Sequence, residues 1–346
     1  ISKGTERSLR DFGKSNYFQK IKSNPERVQQ AIQKIGADGV VATYQAINAR
    51  LNDGLPLGYC NVGTVSETSC SELKRGVRVA SNGPHAEVVR VPENLCAQIP
   101  DNVSDDQAAF TVVGAIGLQA IRLLNPSVGE NICVIGAGLV GQMCIQLLVA
   151  SGCRVLATDL DQTKLEIASC FGAEIINGSE RENVLYGASE FSNGRGVDGV
   201  VIAASSKSDR IISDAAEICR KRASIVLVGA VGLNLQRRDF YEKELRFQVS
   251  ASYGPGRYDV NYETRGRDYP YAFVRWTAQR NFEAVLRLMA SGQLQVDPLI
   301  SRSYAFEQAF KAYEEIEKHE VMGVLLEFDG VREDKNPYSV RVTSFA

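Results

Sequence analysis

The run Val134-Ile135-Gly136-Ala137-Gly138-Leu139-Val140-Gly141, followed further on by Asp159, restricts this chain more than any other stretch. It reads as a strand, a Gly-x-Gly-x-x-Gly turn, a helix, a second strand and an acidic residue. Gly136 permits a tight turn, Gly138 lets backbone approach a pyrophosphate, and Gly141 lets the helix pack on the strand. The helix start, at Leu139 and Val140, offers free N–H groups and a positive dipole end to phosphates. Asp159 closes the apolar run Cys153-Arg154-Val155-Leu156-Ala157-Thr158. A carboxylate there accepts both hydroxyls of an adenine ribose and repels a 2′-phosphate, so the pattern favours NAD over NADP. Context on both sides separates this run from a chance glycine turn: Ile132–Ile135 is apolar, and Leu139–Ala150 is apolar at nearly every position except Gln142 and Gln146.

A parallel α/β organisation follows. Strands are expected at 131–135, 153–158, 198–203 and 223–228, with helices near 139–151, 161–172 and 208–220, the rhythm of a doubly wound sheet. Ligands in such sheets bind at the carboxyl ends of strands. Ala203, Ala204 and Ser205, with Val228, Gly229 and Ala230, are therefore expected beside the nicotinamide. Residues 12–53 read as helical, with Asn24-Pro25-Glu26 as a helix start. Residues 55–100 read as short strands, such as Val77–Ala80 and Ala86–Val91. Helices are expected at 281–291 and 306–318, and a strand at 321–328.

The 346 residues carry a net charge of −2. No basic face is evident, and the runs Arg220-Lys221-Arg222 and Arg237-Arg238 read as solvated, so no nucleic-acid partner is expected. No apolar run is long enough to span a membrane. The eight cysteines include no Cys-x-x-Cys pair, and Cys133 and Cys144 read as small core residues. A reduced, cytoplasmic setting is expected. The chain starts at Ile1 without methionine, so further residues are expected upstream.

Several segments together resemble the medium-chain dehydrogenase/reductase family, the zinc alcohol dehydrogenase-like fold. They are Leu57-Gly58-Tyr59-Cys60-Asn61-Val62-Gly63-Thr64-Val65, Gly194-Arg195-Gly196-Val197-Asp198, Val226-Leu227-Val228-Gly229 and Asp297-Pro298-Leu299-Ile300. The resemblance covers almost the whole chain. It implies a Rossmann doubly wound parallel sheet at 119–255 and a discontinuous, β-rich GroES-like catalytic domain at 1–118 and 256–330. The helical stretch 12–53 is then an insertion, and 331–346 a tail. A homo-oligomer is implied too. Gly4-Thr5-Glu6-Arg7-Ser8-Leu9 and Ser252-Tyr253-Gly254-Pro255-Gly256-Arg257-Tyr258-Asp259 resemble more closely the N-terminal half of bacterial two-domain oxidoreductases associated with surface-polysaccharide synthesis. There a second dinucleotide-binding domain, of the glucose–fructose oxidoreductase type, follows; this chain stops where that domain would begin.

The family's catalytic zinc ligands are replaced. The first ligand position falls on Lys3, the second on Tyr59, and the glutamate after it on Cys60. The third falls within Thr111-Val112-Val113-Gly114. A zinc site needs three converging protein ligands and one open position, so no metal is expected. Thr5 matches the family's proton-relaying hydroxyl. Lys3 beside Tyr59 would lower the phenol pKa and make it a general acid or base; alternatively, Tyr59 fills the space zinc would take. Cys60 reads as a buried thiol, His85 as packing at a barrel edge, and His319 as a solvated helix end.

Between Tyr253 and Asn281 lie many arginines and tyrosines. Arg257 and Arg275 are candidate anion binders, with Tyr253, Tyr258 and Trp276 against a sugar ring. A subunit interface rich in Tyr and Arg is the equal alternative. The leading functional expectation is a zinc-independent, NAD-linked oxidoreductase acting on a small, anionic, sugar-type alcohol or carbonyl, such as a nucleotide sugar or sugar acid. An NADPH-dependent quinone or enoyl reductase of the same fold and a non-catalytic nucleotide-binding scaffold or redox sensor are the alternatives.

Overall fold

The computed structural model describes residues 57–318, 321–328 and 341–342. The helical reading of 12–53 and the positions Lys3, Thr5 and His319 lie outside them. The strands are β1 (Asn61–Thr64), β2 (Glu67–Thr68), β3 (Arg78–Ser81), β4 (Cys96–Gln98), β5 (Asn131–Ile135), β6 (Arg154–Asp159), β7 (Glu174–Asn177), β8 (Val197–Ile202), β9 (Cys219–Leu227), β10 (Arg246–Val249), β11 (Ile300–Ala305), β12 (Gly323–Glu327) and β13 (Arg341–Val342).

Six of them form one parallel sheet in the order β10-β9-β8-β5-β6-β7. The chain enters at β5, winds outward to β7, and returns to wind outward again from β8. This is the 3-2-1-4-5-6 order of a Rossmann sheet, with its switch point between β5 and β8. Alternation within the strands explains why both faces are covered. Val134, Val201 and Val226 face one core, while Cys133, Val200 and Ile225 face the other, because successive strand residues point to opposite faces.

On the first face pack the helices Thr111–Leu124, Leu139–Ala150 and Ala278–Ala290. Met143, Ile145 and Leu148 of the second are fully sealed from solvent, each contributing about 1.5–3 kcal/mol by burial. The helix Thr111–Leu124 ends where Asn125 turns left-handed at φ 51°, a role asparagine tolerates. On the second face pack Arg181–Phe191 and Arg210–Ile218.

The β-rich part holds the antiparallel sheet β1-β3-β4 over a small core of Val65, Val79, Val89, Val91 and Cys96. β11 and β12 pair in parallel. Residues Ala86–Val91 form no strand. Val89 and Val91 still point inward, so the alternation that suggested a strand reflects burial without pairing. β7 and the helix Arg181–Phe191 were not evident from the sequence: the helix is amphipathic but buries only Ala188 and Phe191, too few apolar positions to set a period.

Candidate functional site

The glycine loop follows β5 and meets the turn after β8. Gly136 has φ +98°, and a Cβ on it would stand 2.6 Å from the Ala204 amide nitrogen. The amides of Ala203 and Ala204 both donate to the Ile135 carbonyl, at 2.8 and 3.0 Å. Those of Val228 and Gly229 donate to the Ile202 carbonyl, at 2.9 and 3.0 Å. Three strand ends are thereby laced side by side at the switch point. Ser205 and Ala230 lie exposed beside them. Gly138 caps the helix Leu139–Ala150, and a Cβ there would meet no atom within 4 Å. The loop is packed on its inner side and open on the side where the helix presents its first amides.

Asp159 ends β6 beside this opening. One carboxylate oxygen accepts from the Ala137 amide at 2.7 Å and the other from the Asp161 amide at 3.0 Å. Each keeps a further lone pair for a hydroxyl donor. Open backbone, helix dipole and oriented carboxylate suit a dinucleotide.

Leu139, the first residue of the glycine-loop helix, also lines a cavity of about 30 Å³ with Tyr59, Cys60, His85, Phe110, Val113 and residues Gly323–Leu325 of β12. Tyr59 is brought to the cofactor loop, as its place in the sequence suggested. His85 joins it there, packed against Gly58 and lining the cavity as well. The cause is local: Gly58 turns at φ +86°, and a Cβ on it would lie 2.5 Å from the His85 ring. The imidazole occupies space that only glycine leaves. The Leu57-Gly58-Tyr59 run, seen as part of this pocket, was the available signal.

Among the described residues, no three His, Cys, Asp or Glu side chains gather as metal ligands. The cavity offers one phenol, one thiol and one imidazole. Where a third zinc ligand would stand, Val113 lines the wall, while the Thr111 hydroxyl donates to the Ala108 carbonyl at 2.7 Å.

The segment after β10 departs from expectation. Tyr253 is 2% exposed and packs edge-on against Phe282, so its ring is closed to a substrate. Its hydroxyl donates to Asn82 Oδ1 at 3.1 Å, and Asn82 Nδ2 donates to the Tyr59 carbonyl at 2.9 Å. Tyr253 thus braces the cavity wall from behind. Burial holds its phenol well above the usual range, with Arg257 opposing. Arg257 pairs with Glu263 at 2.5 Å. Arg280 pairs with Asp268 and bonds the Val274 carbonyl at 2.7 Å. Tyr258 is 74% exposed and lies under the Arg257 guanidinium.

Arg275 and Trp276 stack with Arg122 near the far end of the helix Thr111–Leu124. From Phe110 at the cavity to Arg122, twelve residues of helical rise span about 18 Å. Tyr253 is closed to a substrate, contrary to expectation, whereas Arg275 and Trp276 lie beside Arg122 and are not among the residues that line the cavity. Two internal ion pairs engage Arg257 and Arg280.

Comparison with known proteins agrees with this architecture. The family described as "Zinc-binding dehydrogenase" matches residues 140–291. D-xylulose reductase A of Aspergillus oryzae is 24% identical over 294 residues, 82% of this chain and 74% of that protein. An alcohol dehydrogenase of Geobacillus stearothermophilus is 27% identical over 173 residues, half of each chain. The structure of alcohol dehydrogenase TADH from Thermus sp. ATN1 superposes with a TM-score of 0.65 at 23% identity, covering 79% of this chain and 84% of that one. With the Rossmann strand order, the glycine loop at its switch point and the β-rich part closing over that loop, this chain has the fold of the medium-chain dehydrogenase/reductase family and is similar to its zinc-binding dehydrogenase members over residues 140–291.

Proposed function

We propose that the protein is an NAD(H)-dependent, zinc-independent oxidoreductase that moves a hydride to or from a sugar-type alcohol or carbonyl. The carrying observation is the position of Leu139. It opens the glycine-loop helix and also lines the cavity of Tyr59, Cys60 and His85, so cofactor loop and reacting groups share one wall. The relative named D-xylulose reductase supports a polyol or ketose as substrate. An acidic sugar or nucleotide sugar is a narrower form of the same proposal.

The nicotinamide supplies the hydride acceptor or donor when bound. The chain itself provides the binding groups and the proton path. Gly136, Gly138 and Gly141 shape the loop for the pyrophosphate, and Asp159 accepts from the ribose. Oxidation of an alcohol also releases the hydroxyl proton, and reduction of a carbonyl takes one up. Tyr59 and His85 are the cavity side chains that hold or move it, because phenol and imidazole can each donate and accept. Phe110, Val113 and Leu139 keep water from the reacting carbon.

The test is turnover with a panel of polyols, ketoses and nucleotide sugars, using NAD and NADP, before and after exhaustive chelation. Expected is NAD-linked turnover that survives chelation, with well under one zinc per chain by metal analysis. Activity that chelation abolishes and zinc restores overturns zinc independence. Binding without turnover across the panel overturns the enzymatic reading.

A further inference from the structure

The only tryptophan of the chain lies between two guanidinium groups. The Cζ of Arg122 stands 3.3 Å from the Trp276 ring centroid and that of Arg275 stands 3.7 Å from it. Two guanidiniums that close to one centroid would overlap on a single face, so they cover opposite faces, with their charges no more than about 7 Å apart.

Among the described residues, neither group has a carboxylate partner. Arg122 Nε donates to Asn281 Oδ1 at 2.8 Å; among the described residues its two terminal nitrogens have no acceptor, and no carboxylate lies in contact. Arg275 lies against Trp276 and, at 4.6 Å, the Tyr271 ring, with no ion pair among the described residues. Arg287, from the helix Ala278–Ala290, adds a third charge; its one acidic neighbour, Glu283, is 4.0 Å away and half exposed. Burial, then Arg275 and Arg287, pull the Arg122 guanidinium down to about 10. Two other arginines of this region are paired, Arg257 with Glu263 and Arg280 with Asp268. Among the described residues, the two stacked cations Arg122 and Arg275 lack a counter-charge, with Arg287, paired only at 4.0 Å with Glu283, beside them.

We propose that Arg122 and Arg275, with Arg287 at the rim, form a binding site for a phosphate-type oxyanion at the edge of Trp276, separate from the cofactor loop. Guanidinium forks match phosphate oxygens bidentately. Stacking on the indole fixes the planes of both forks in advance, so little side-chain freedom is lost on binding. The anion removes the mutual repulsion of the cluster. Inorganic phosphate and the phosphate group of a small metabolite present the same chemistry to it.

Because Trp276 is the sole tryptophan, its emission reports on this site. The protein is titrated with inorganic phosphate and, separately, with a sugar monophosphate, against chloride at matched ionic strength. A saturable change in Trp276 emission is expected for at least one of them, unaffected by saturating NAD. Tighter binding of the monophosphate assigns a metabolite, and tighter binding of phosphate the free ion. Arg275→Gln, at an exposed position, should weaken binding about tenfold or more; Arg122→Lys, which keeps the charge and loses the fork, should weaken it too. Calorimetry on both variants, with circular dichroism to verify folding, provides a second readout. No saturable change, unaltered affinity in Arg275→Gln, or displacement by NAD overturns the proposal.

Discussion

The carbonyl oxygen of Gly136 occupies the space that a side chain on residue 141 would need: a Cβ built on Gly141 lies 1.9 Å from it. Loop and helix are so close that the first turn of Leu139–Ala150 is seated on the strand end itself. Gly141→Ala should therefore force the helix outward, at a cost of about 1–3 kcal/mol, and lower both the melting temperature and NADH affinity. Gly138→Ala makes the contrast. Its Cβ meets nothing within 4 Å, so melting should hold while NADH affinity falls. Thermal melts and NADH fluorescence titration on the two variants check this.

Asp159 is held by the Ala137 and Asp161 amides, which aims its carboxylate at the cofactor opening. Asp159→Asn should weaken NAD by about 1–3 kcal/mol through lost charged hydrogen bonds and relax discrimination against NADP. Titration of both dinucleotides decides it; an unmodified protein that already prefers NADP would sink the assignment.

Tyr59 and His85 share the cavity wall. If they move the substrate proton, Tyr59→Phe and His85→Gln should each lower kcat by about 10²–10⁴. NADH affinity should stay within about twofold, since neither stands on the glycine loop. Loss of NADH binding in both variants would mean that they merely support the fold.

Tyr269 donates to Asp259 at 2.5 Å. That bond holds the Asp259 carboxyl below its ordinary range and pushes the Tyr269 phenol up to about 12. A raised phenol contributes stability that is complete below the unfolded value near 10 and is lost as pH rises through 12. A lowered carboxyl contributes stability present above the unfolded value near 4 and lost as pH falls through the folded one. Melting of the unmodified protein should drop on both sides, and Tyr269→Phe should flatten both flanks. Parallel melting curves for the two proteins from pH 2 to 12 would exclude this coupling.

The glycine loop was legible because its constraints are backbone constraints, written in the positions of Gly136, Gly138 and Gly141 themselves. Tyr59 was legible for a similar reason, as it stands in a short run with fixed neighbours. The arginine- and tyrosine-rich segment was not. Its composition suits ligand, interface and self-pairing equally, and the partners that decide come from far along the chain. Asn82 holds Tyr253, and Arg122 covers Trp276. Arg257 and Glu263 are near enough in sequence to have been paired, yet the turn that joins them depends on Tyr258 adopting φ +68°, which no residue pattern announces. That His85 also lines the cavity was not legible, because Gly58 shapes its place from another segment.

Tyr253 and Tyr262 are also held from beyond Gly266: Asn281 Nδ2 donates to the Tyr253 carbonyl at 2.9 Å and the Gln279 amide to the Tyr262 hydroxyl at 3.1 Å. Gln279 Nε2 also donates to the carbonyls of Glu93 and Cys96, each at 2.9 Å. Between them the chain passes Gly266, where nothing lies within 4 Å of the site a side chain would take. The covalent connection at that point is thus redundant for cohesion. A protease that nicks the backbone at Gly266 leaves two fragments clasped by phenol and amide groups, and they part only when the buried core between them comes undone.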